Sequence, residues 1–113
     1  MTEKAFETKI KKYIESKGGW VVKFFANGFT KAGIPDLLAN VGGNFVAIEV
    51  KAQEGKPSPL QKHHQELIRN SGGVCLIVYP NQWVELCNYL DELFYESIMV
   101  DDYLRGKQYD FDN

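Results

Sequence analysis

The chain has 113 residues, which suits a single domain, because domains usually hold ~100–200 residues. Hydrophobic residues make up 44% of it and charged residues 25%, which is the balance of a folded globular protein and excludes wholesale disorder. No apolar run approaches the ~18 residues of a membrane span, and the N-terminus is charged, so we expect neither a membrane segment nor a secretory signal. The net charge of −2 argues against a uniformly basic, nucleic-acid-binding surface.

The charge is distributed unevenly along the chain. Residues 1–69 carry 11 Lys and Arg against 7 Asp and Glu, whereas residues 70–113 carry 2 against 8. This asymmetry predicts an electrostatic function for the first part. The two cysteines, Cys75 and Cys87, lack the spacing of a zinc site, so we interpret them as reduced core residues of a cytoplasmic protein.

The N-terminal part predicts a helix, a strand and a loop, in that order. Residues 2–17 carry one apolar stripe at helical spacing, and Thr2 is a suitable N-cap. Residues 20–25 are β-branched or aromatic apart from one lysine, which is typical of a strand. Residues 26–34 contain glycine at two points and predict a loop.

A β-hairpin follows this loop. Residues 35–41 and 44–51 have the composition of strands, and Gly42 and Gly43 between them form a two-residue hairpin connection. If both glycines lie in the turn, Val41 faces Asn44, and this pair fixes the register of the two strands.

A helix start is encoded after the hairpin. Ser58 is a suitable cap, Pro59 stands at the first helical position, and Gln61 follows the cap by three residues, as in a capping box. We expect this helix to run to about Asn70.

The C-terminal part predicts a strand and a helix. Residues 74–79 are continuously apolar, which indicates a strand buried on both faces, and residues 82–95 carry a helical apolar pattern. We expect one α/β domain over residues 1–95, of order α-β-β-β-α-β-α, with a mixed sheet whose last two strands are parallel and flanked by helices. No structure is assigned to the acidic tail, residues 96–113, which is a candidate flexible segment or oligomer interface.

Two carboxylates and a lysine should converge on the hairpin. In its register Asp36 lies opposite Glu49, with Cβ atoms ~5 Å apart, and Lys51 shares the face of Glu49 because strand side chains alternate. Carboxylates this close need a proton, a cation or a metal. A cross-strand salt-bridge cluster and a metal-dependent hydrolytic site both satisfy that need.

The second interpretation has a defined chemistry. Carboxylate oxygens favour Mg²⁺ or Mn²⁺, and such a metal polarises a phosphodiester and lowers the pKa of a bound water. A lysine beside it orients or deprotonates that water, or stabilises charge that develops on the phosphoryl oxygens.

Two short motifs carry a family resemblance. The motifs are Gly33-Ile34-Pro35-Asp36 and Ile48-Glu49-Val50-Lys51. Together they resemble the PD-(D/E)xK nuclease signature. Over about residues 3–80 the chain also resembles the VRR-NUC nucleases, especially small stand-alone phage and bacterial members, through Gly18-Gly19, Lys23-Phe24 and Ser58-Pro59-Leu60-Gln61. The resemblance implies a restriction-endonuclease-like core.

The resemblance also implies roles for the hairpin residues. Asp36 and Glu49 would be metal ligands for Mg²⁺ or Mn²⁺, and the backbone carbonyl of Val50 would complete the metal shell. Lys51 would be the catalytic lysine.

Three residues outside the hairpin are further candidates. The family's helix-1 acid, which joins the catalytic and metal-binding set, would be Glu7 or Glu3, and we favour Glu7 because it borders the apolar stripe. For Glu3 an ordinary acid of the first helical turn is the alternative. The resemblance makes Gln61 an active-site residue, whereas its spacing from Ser58 makes it a capping residue, and we expect its side chain to serve only one role.

Four lysines around the expected site are predicted to contact the DNA backbone. They are Lys23, Lys31, Lys56 and Lys62. For each of them a solvated surface lysine is the alternative.

The function that the resemblance implies is a metal-dependent DNA endonuclease. It would be specific for branched DNA such as Holliday junctions, act as a homodimer because a four-way junction needs two cuts, and work in the cytoplasm of a bacterial or phage-infected cell. Two alternatives remain: a catalytically inactive nucleic-acid-binding module, and a protein-interaction domain that uses the acidic C-terminal part.

Overall fold

The computed structural model describes residues 1–25 and 32–108, and from residue 96 onward it describes the backbone alone. The predicted order of elements is confirmed, with a short 3₁₀ turn added before the last helix. The elements are α1 (Glu3–Ser16), β1 (Trp20–Lys23), β2 (Leu37–Val41), β3 (Asn44–Val50), α2 (Pro59–Asn70), β4 (Val74–Val78), the 3₁₀ turn (Pro80–Gln82) and α3 (Trp83–Gln108).

The four strands form one mixed sheet in the order β1-β2-β3-β4. β1, β2 and β3 are antiparallel neighbours, and β4 runs parallel to β3, as predicted. Gly42 and Gly43 both have positive φ, 59° and 82°, the conformation of a type I′ turn. Val41 pairs with Asn44, so the predicted register of the hairpin is confirmed.

One face of the sheet packs against α1 and α3 and contains the main core. The apolar stripe of α1 is fully buried there, through Phe6, Ile10 and Ile14. Trp83 at the start of α3 packs edge-on against Phe6, with ring centroids 6.1 Å apart, so the two helices are in direct contact.

The opposite face of the sheet lies under α2. Val46, Ile48 and Val50 belong to the main core, so the alternation of the strand directs Ala47 and Glu49 to the other face. Both are buried, Glu49 with 2% of its surface exposed, and Glu49 is hydrogen-bonded to α2. A carboxylate is thereby held between a strand and a helix.

Three expectations about the elements differ from the structure. β1 ends at Lys23 and not at residue 25. β4 is an edge strand in which Leu76 and Ile77 are half-buried, so the prediction of a strand buried on both faces is wrong. α3 continues to Gln108, beyond the predicted end at 95, because no proline or glycine interrupts the chain until Gly106.

None of the helices in the described part of the chain combines the length and the apolar character that a membrane span requires. Most of the predicted loop, residues 26–31, lies outside the described residues.

Candidate active site

The predicted carboxylates, Lys23 and Lys51 meet at one end of the sheet. β1 ends there at Lys23, β2 begins there just after Asp36, and β3 ends there at Val50. Antiparallel pairing places the start of β2 beside the ends of its two neighbours, and the Phe24 amide donates to the Asp36 carbonyl at 2.8 Å. The sheet topology therefore brings residues from three separate segments to a single edge.

Asp36 is fixed by the backbone of the neighbouring strand. Its Oδ2 accepts a hydrogen bond from the Val50 amide at 2.9 Å. Continuing the register places Pro35 opposite Val50, and a proline has no N–H to donate to the Val50 carbonyl. The N–H and C=O groups of a residue in an antiparallel strand point to the same side, and the Val50 N–H points to Asp36, so the Val50 carbonyl faces Asp36 as well.

Glu49 has an oxygen without a hydrogen-bond partner. Its Oε1 accepts from Gln61 Nε2 at 2.9 Å and lies 3.7 Å from Lys51 Nζ. Its Oε2 is buried, and no hydrogen bond reaches it from the described residues. Burial, and next the negative charge of Asp36, raise the pKa of Glu49 to about 7. The site thus holds a carboxylate that favours a proton or a cation.

The side chain of Gln61 makes two contacts that we expected to exclude each other, one with the helix cap and one with Glu49. Its backbone amide donates to the Ser58 hydroxyl at 3.1 Å, and its Oε1 accepts from the Ser58 amide at 2.8 Å, which completes a capping box. Its Nε2 donates to Glu49. The expectation that the side chain would make only one of these contacts was wrong, because a glutamine amide has an acceptor and a donor at different atoms; a role in catalysis stays a prediction.

Lys23 lies between two of the predicted carboxylates. Its Nζ is 2.6 Å from Glu7 Oε1 and 3.4 Å from Asp36 Oδ1. Burial lowers the pKa of Lys23, but the hydrogen bond to Glu7 and the charge of Asp36 outweigh burial, so the net shift is upward. Lys23 was predicted to contact DNA; the structure places it in the carboxylate cluster.

The three predicted acidic ligands do not form one group. Within the described ranges, no cluster of three or more His, Cys, Asp or Glu side chains is arranged to hold a metal. Glu7 is linked to Asp36 only through the Lys23 ammonium. The oxygens that remain close together are those of Asp36 and Glu49, with the Val50 carbonyl at the same edge.

Glu3 also reaches the site, but through the backbone. Its Oε1 accepts a hydrogen bond from the Ala52 amide at 2.8 Å, one residue after Lys51. Glu3 is therefore more than an ordinary acid of the first helical turn, because its side chain makes a tertiary contact just after the end of β3. No local pattern signals this contact, because the two residues are far apart in sequence.

The Gly33-Ile34-Pro35-Asp36 motif is in direct contact with the Ser58-Pro59-Leu60-Gln61 segment. Gly33 has a φ of +82°, and a Cβ there would lie 2.9 Å from the backbone of Leu60 at the start of α2. Only glycine permits both the conformation and the close approach. The loop that carries Asp36 and the helix that carries Gln61 are thus packed together at this point.

Two of the remaining predicted lysines are not part of the cluster. Lys56 and Lys62 are exposed, in the loop after β3 and in the first turns of α2. Lys31 lies outside the described residues.

The sequence analysis missed one buried polar residue. Gln65 is 2% exposed, and its Nε2 has no hydrogen-bond partner among the described side chains and backbone. It follows Gln61 by one helical turn, and this spacing was the available signal for a second amide on the same face of α2.

Comparison with known proteins identifies the family. A family model described as archaeal Holliday junction resolvase (Hjc) matches residues 2–90. The chain belongs to the Hjc family. The match extends over α1, the sheet and α2, and it includes every residue of the candidate site.

Two solved structures are similar to this Hjc-family chain. A VRR_NUC domain is 28% identical, with a TM-score of 0.61, over 84% of this chain and 97% of that one. Hjc from Archaeoglobus fulgidus, a Holliday junction resolvase from an archaeal hyperthermophile, is 21% identical over 67% of each chain, with a TM-score of 0.49. No curated protein matches the chain. The resemblance to VRR-NUC nucleases of the PD-(D/E)xK superfamily, and the fold it implies, are confirmed.

Proposed function

We propose that this Hjc-family nuclease is a divalent-metal-dependent endonuclease that cleaves Holliday junctions and related branched DNA. The observation that carries the proposal is the buried Glu49, whose Oε2 has no partner among the described residues, beside Asp36. A structural salt-bridge cluster would be expected to satisfy such an oxygen, because an unpaired buried polar atom costs about 1–3 kcal/mol. Family membership over residues 2–90 supports the same function.

The residues present fit a hard divalent cation. The donors are carboxylate oxygens of Asp36 and Glu49 and the Val50 carbonyl, and oxygen donors suit Mg²⁺ and Mn²⁺. We propose that these three residues hold the cation. When bound, it supplies the positive charge that lowers the pKa of an attacking water and offsets charge on the phosphate.

The chain's own residues orient the reaction. Lys51 Nζ lies beside Glu49, 15% exposed, where it can hold a water or a phosphoryl oxygen by hydrogen bonds. Gln61 fixes the rotamer of Glu49 and is itself fixed by the helix cap. Lys23 neutralises Glu7 and Asp36, so that an anionic backbone can approach a cluster of carboxylates.

In the hydrolysis a water oxygen forms a new bond to phosphorus while one P–O bond of the backbone breaks. The proton of the water passes to a basic group or to solvent, and the leaving oxygen takes up a proton. Exposed lysines near the site, Lys56 and Lys62, are proposed to contact the backbone of the DNA. Lys31 is proposed for the same role from the sequence alone.

We further propose a homodimer, because two cuts are needed to resolve a four-way junction. Large apolar side chains exposed on α3 support a contact there: Val84 is 66% and Tyr95 68% exposed. A full-length chain with Val84→Glu and Tyr95→Glu combined should run with the mass of a monomer in light scattering coupled to gel filtration, and an unchanged assembly would count against this surface. The bacterial or phage origin and the cytoplasmic location stay predictions; the matched family is named for archaea.

The test of the function compares cleavage of labelled four-way junction, flap and duplex DNA with Mg²⁺, Mn²⁺ or EDTA. We expect the wild type to cleave the junction only with a metal and Lys51→Ala to lose cleavage, while Lys12→Ala, an exposed lysine of α1, serves as the matched control. Equal cleavage by Lys51→Ala would refute the catalytic role. Binding without cleavage would identify a nucleic-acid-binding module, and absence of binding an interaction domain.

A further inference from the structure

A pocket of about 400 Å³ lies between α1 and the end of β1. Its volume is within the range of small-ligand sites. Its lining shares Glu7 and Lys23 with the candidate active site, and the full lining is Lys4, Glu7, Thr8, Lys11, Lys23 and Phe25. The pocket therefore opens directly beside the carboxylate cluster.

The lining of this pocket, which we call the α1 pocket, is positively charged. Glu7 is its one carboxylate, and the 2.6 Å ion pair with Lys23 neutralises it. Lys4 and Lys11 add two further ammonium groups on one face of α1, since they are spaced by seven residues, or two helical turns. An anionic ligand such as a phosphate suits this lining.

The α1 pocket also has an exposed aromatic wall. Phe25 is 75% exposed although it is a large apolar side chain. An exposed aromatic ring beside lysines is the combination that binds unpaired nucleotides, in which the base stacks on the ring and the backbone contacts the cations. Phe25, Lys4 and Lys11 have no role in the proposed hydrolysis.

We propose that the α1 pocket binds one unpaired nucleotide of the DNA strand next to the cleaved phosphate, with its base on Phe25 and its phosphate near Lys4 and Lys11. The proposal rests on the proposed nuclease function and adds a source of its specificity. A base inside a duplex has both faces covered by its neighbours, so it cannot stack on Phe25 without leaving the stack. Branch points, where stacking is interrupted, supply such a base at the lowest cost.

The test of the base contact uses 2-aminopurine, a fluorescent adenine analogue that stacking quenches. It is placed as a single unpaired nucleotide at the branch point of a junction, and binding is measured in EDTA so that the DNA stays intact. We expect wild-type protein to quench the fluorescence and Phe25→Leu to lose the quenching and bind about tenfold more weakly. Phe45→Leu, at the far end of the hairpin and 49% exposed, is the matched control and should behave as wild type. Circular dichroism checks that both variants fold.

The test of the phosphate contact uses the salt dependence of binding. In the double variant Lys4→Gln, Lys11→Gln, the magnitude of the slope of log affinity against log salt should fall by about 1–2, because each phosphate contact that is lost releases one counterion fewer on binding. Lys12→Gln, on the same helix but outside the pocket lining, should change the slope less.

Three outcomes separate the proposals. Quenching that persists in Phe25→Leu, or slopes that fall equally in Lys12→Gln, would overturn the α1 pocket while leaving the nuclease proposal intact. Phe25-dependent quenching in a protein that fails to cleave would support the pocket and overturn only the catalysis. Both proposals are supported if wild type cleaves the branched substrate, Phe25→Leu loses the quenching and the Lys4 and Lys11 double variant loses part of the salt dependence.

Discussion

The double use of Gln61 yields a prediction that separates catalysis from folding. Gln61→Glu keeps an oxygen that accepts the Ser58 amide, and glutamate is the other residue that completes a capping box. The same substitution removes the Nε2 donor to Glu49 and puts a second carboxylate beside a buried one. We expect Gln61→Glu to keep the helix cap and the stability of the fold but to slow the cleavage of junction DNA.

The size of the effect follows from the lost hydrogen bond. A hydrogen bond to a charged group contributes about 1.5–3 kcal/mol, which corresponds to a loss of about 10- to 150-fold in cleavage rate if it acts mainly in the transition state. Repulsion between the two carboxylates raises the pKa of Glu49 further, so the loss should be larger near neutral pH than at pH 8.5.

The matched variant is Ser58→Ala, which removes only the capping hydroxyl. Loss of such a cap costs about 1 kcal/mol, or a fall of about 3–6 °C in the melting temperature of a domain of this size. Junction cleavage at 25 °C should stay within about twofold of wild type. Thermal melts and single-turnover cleavage of labelled junction DNA measure the two effects separately. If Gln61→Glu cleaves as fast as Ser58→Ala, the contact with Glu49 has no part in catalysis.

Three further predictions concern the same end of the sheet. Because the pKa of Glu49 is raised on folding, the folded protein binds more protons than the unfolded chain, and the free energy of unfolding should fall as pH rises from about 4.5 to 7. Urea titrations should show that this free energy depends less on pH in Glu49→Gln, and a stronger dependence would contradict the assignment. Lys23→Met should lower the stability of the metal-free protein by roughly 1–2 kcal/mol, since two carboxylates lose their cation, and Mg²⁺ should recover part of the loss in a thermal melt. Gly33→Ala should lower the free energy of unfolding by at least ~2 kcal/mol, because the new Cβ meets the backbone of α2. Gly43→Ala is the control, since Gly43 has the same φ of +82° but open space around it, and equal losses of stability would exclude the contact.

Local patterns predict the hairpin and the helix caps well. The pair of glycines sets the turn type, and the turn sets the register that puts Asp36 opposite Glu49. The cap at Ser58 and its partner Gln61 are likewise visible within four residues of sequence. Each of these features depends on neighbours along the chain, which is why a single sequence suffices.

Contacts between distant segments were not predictable in the same way. Neither the insertion of Lys23 between Glu7 and Asp36 nor the contact of Glu3 with the Ala52 amide has a local signal. The family resemblance suggested that an acid of α1 joins the site, but not that an ammonium separates it from the hairpin carboxylate. Such details depend on the angle at which α1 crosses the sheet.

The charges at the site explain how the fold tolerates its carboxylates. Lys23 is shared by Glu7 and Asp36, and Lys51 is 3.7 Å from Glu49, so two ammonium groups face three carboxyl groups. The remaining negative charge is removed when Glu49 takes up a proton, in line with its pKa of about 7. The divalent cation that we propose at Asp36 and Glu49 would have to displace that proton, so its apparent affinity should rise by up to about tenfold per pH unit below 7 and level off above it. The proposed metal binding and the ionisation of Glu49 would therefore be one coupled equilibrium, in which the net charge of the site depends on whether a proton or a cation is bound.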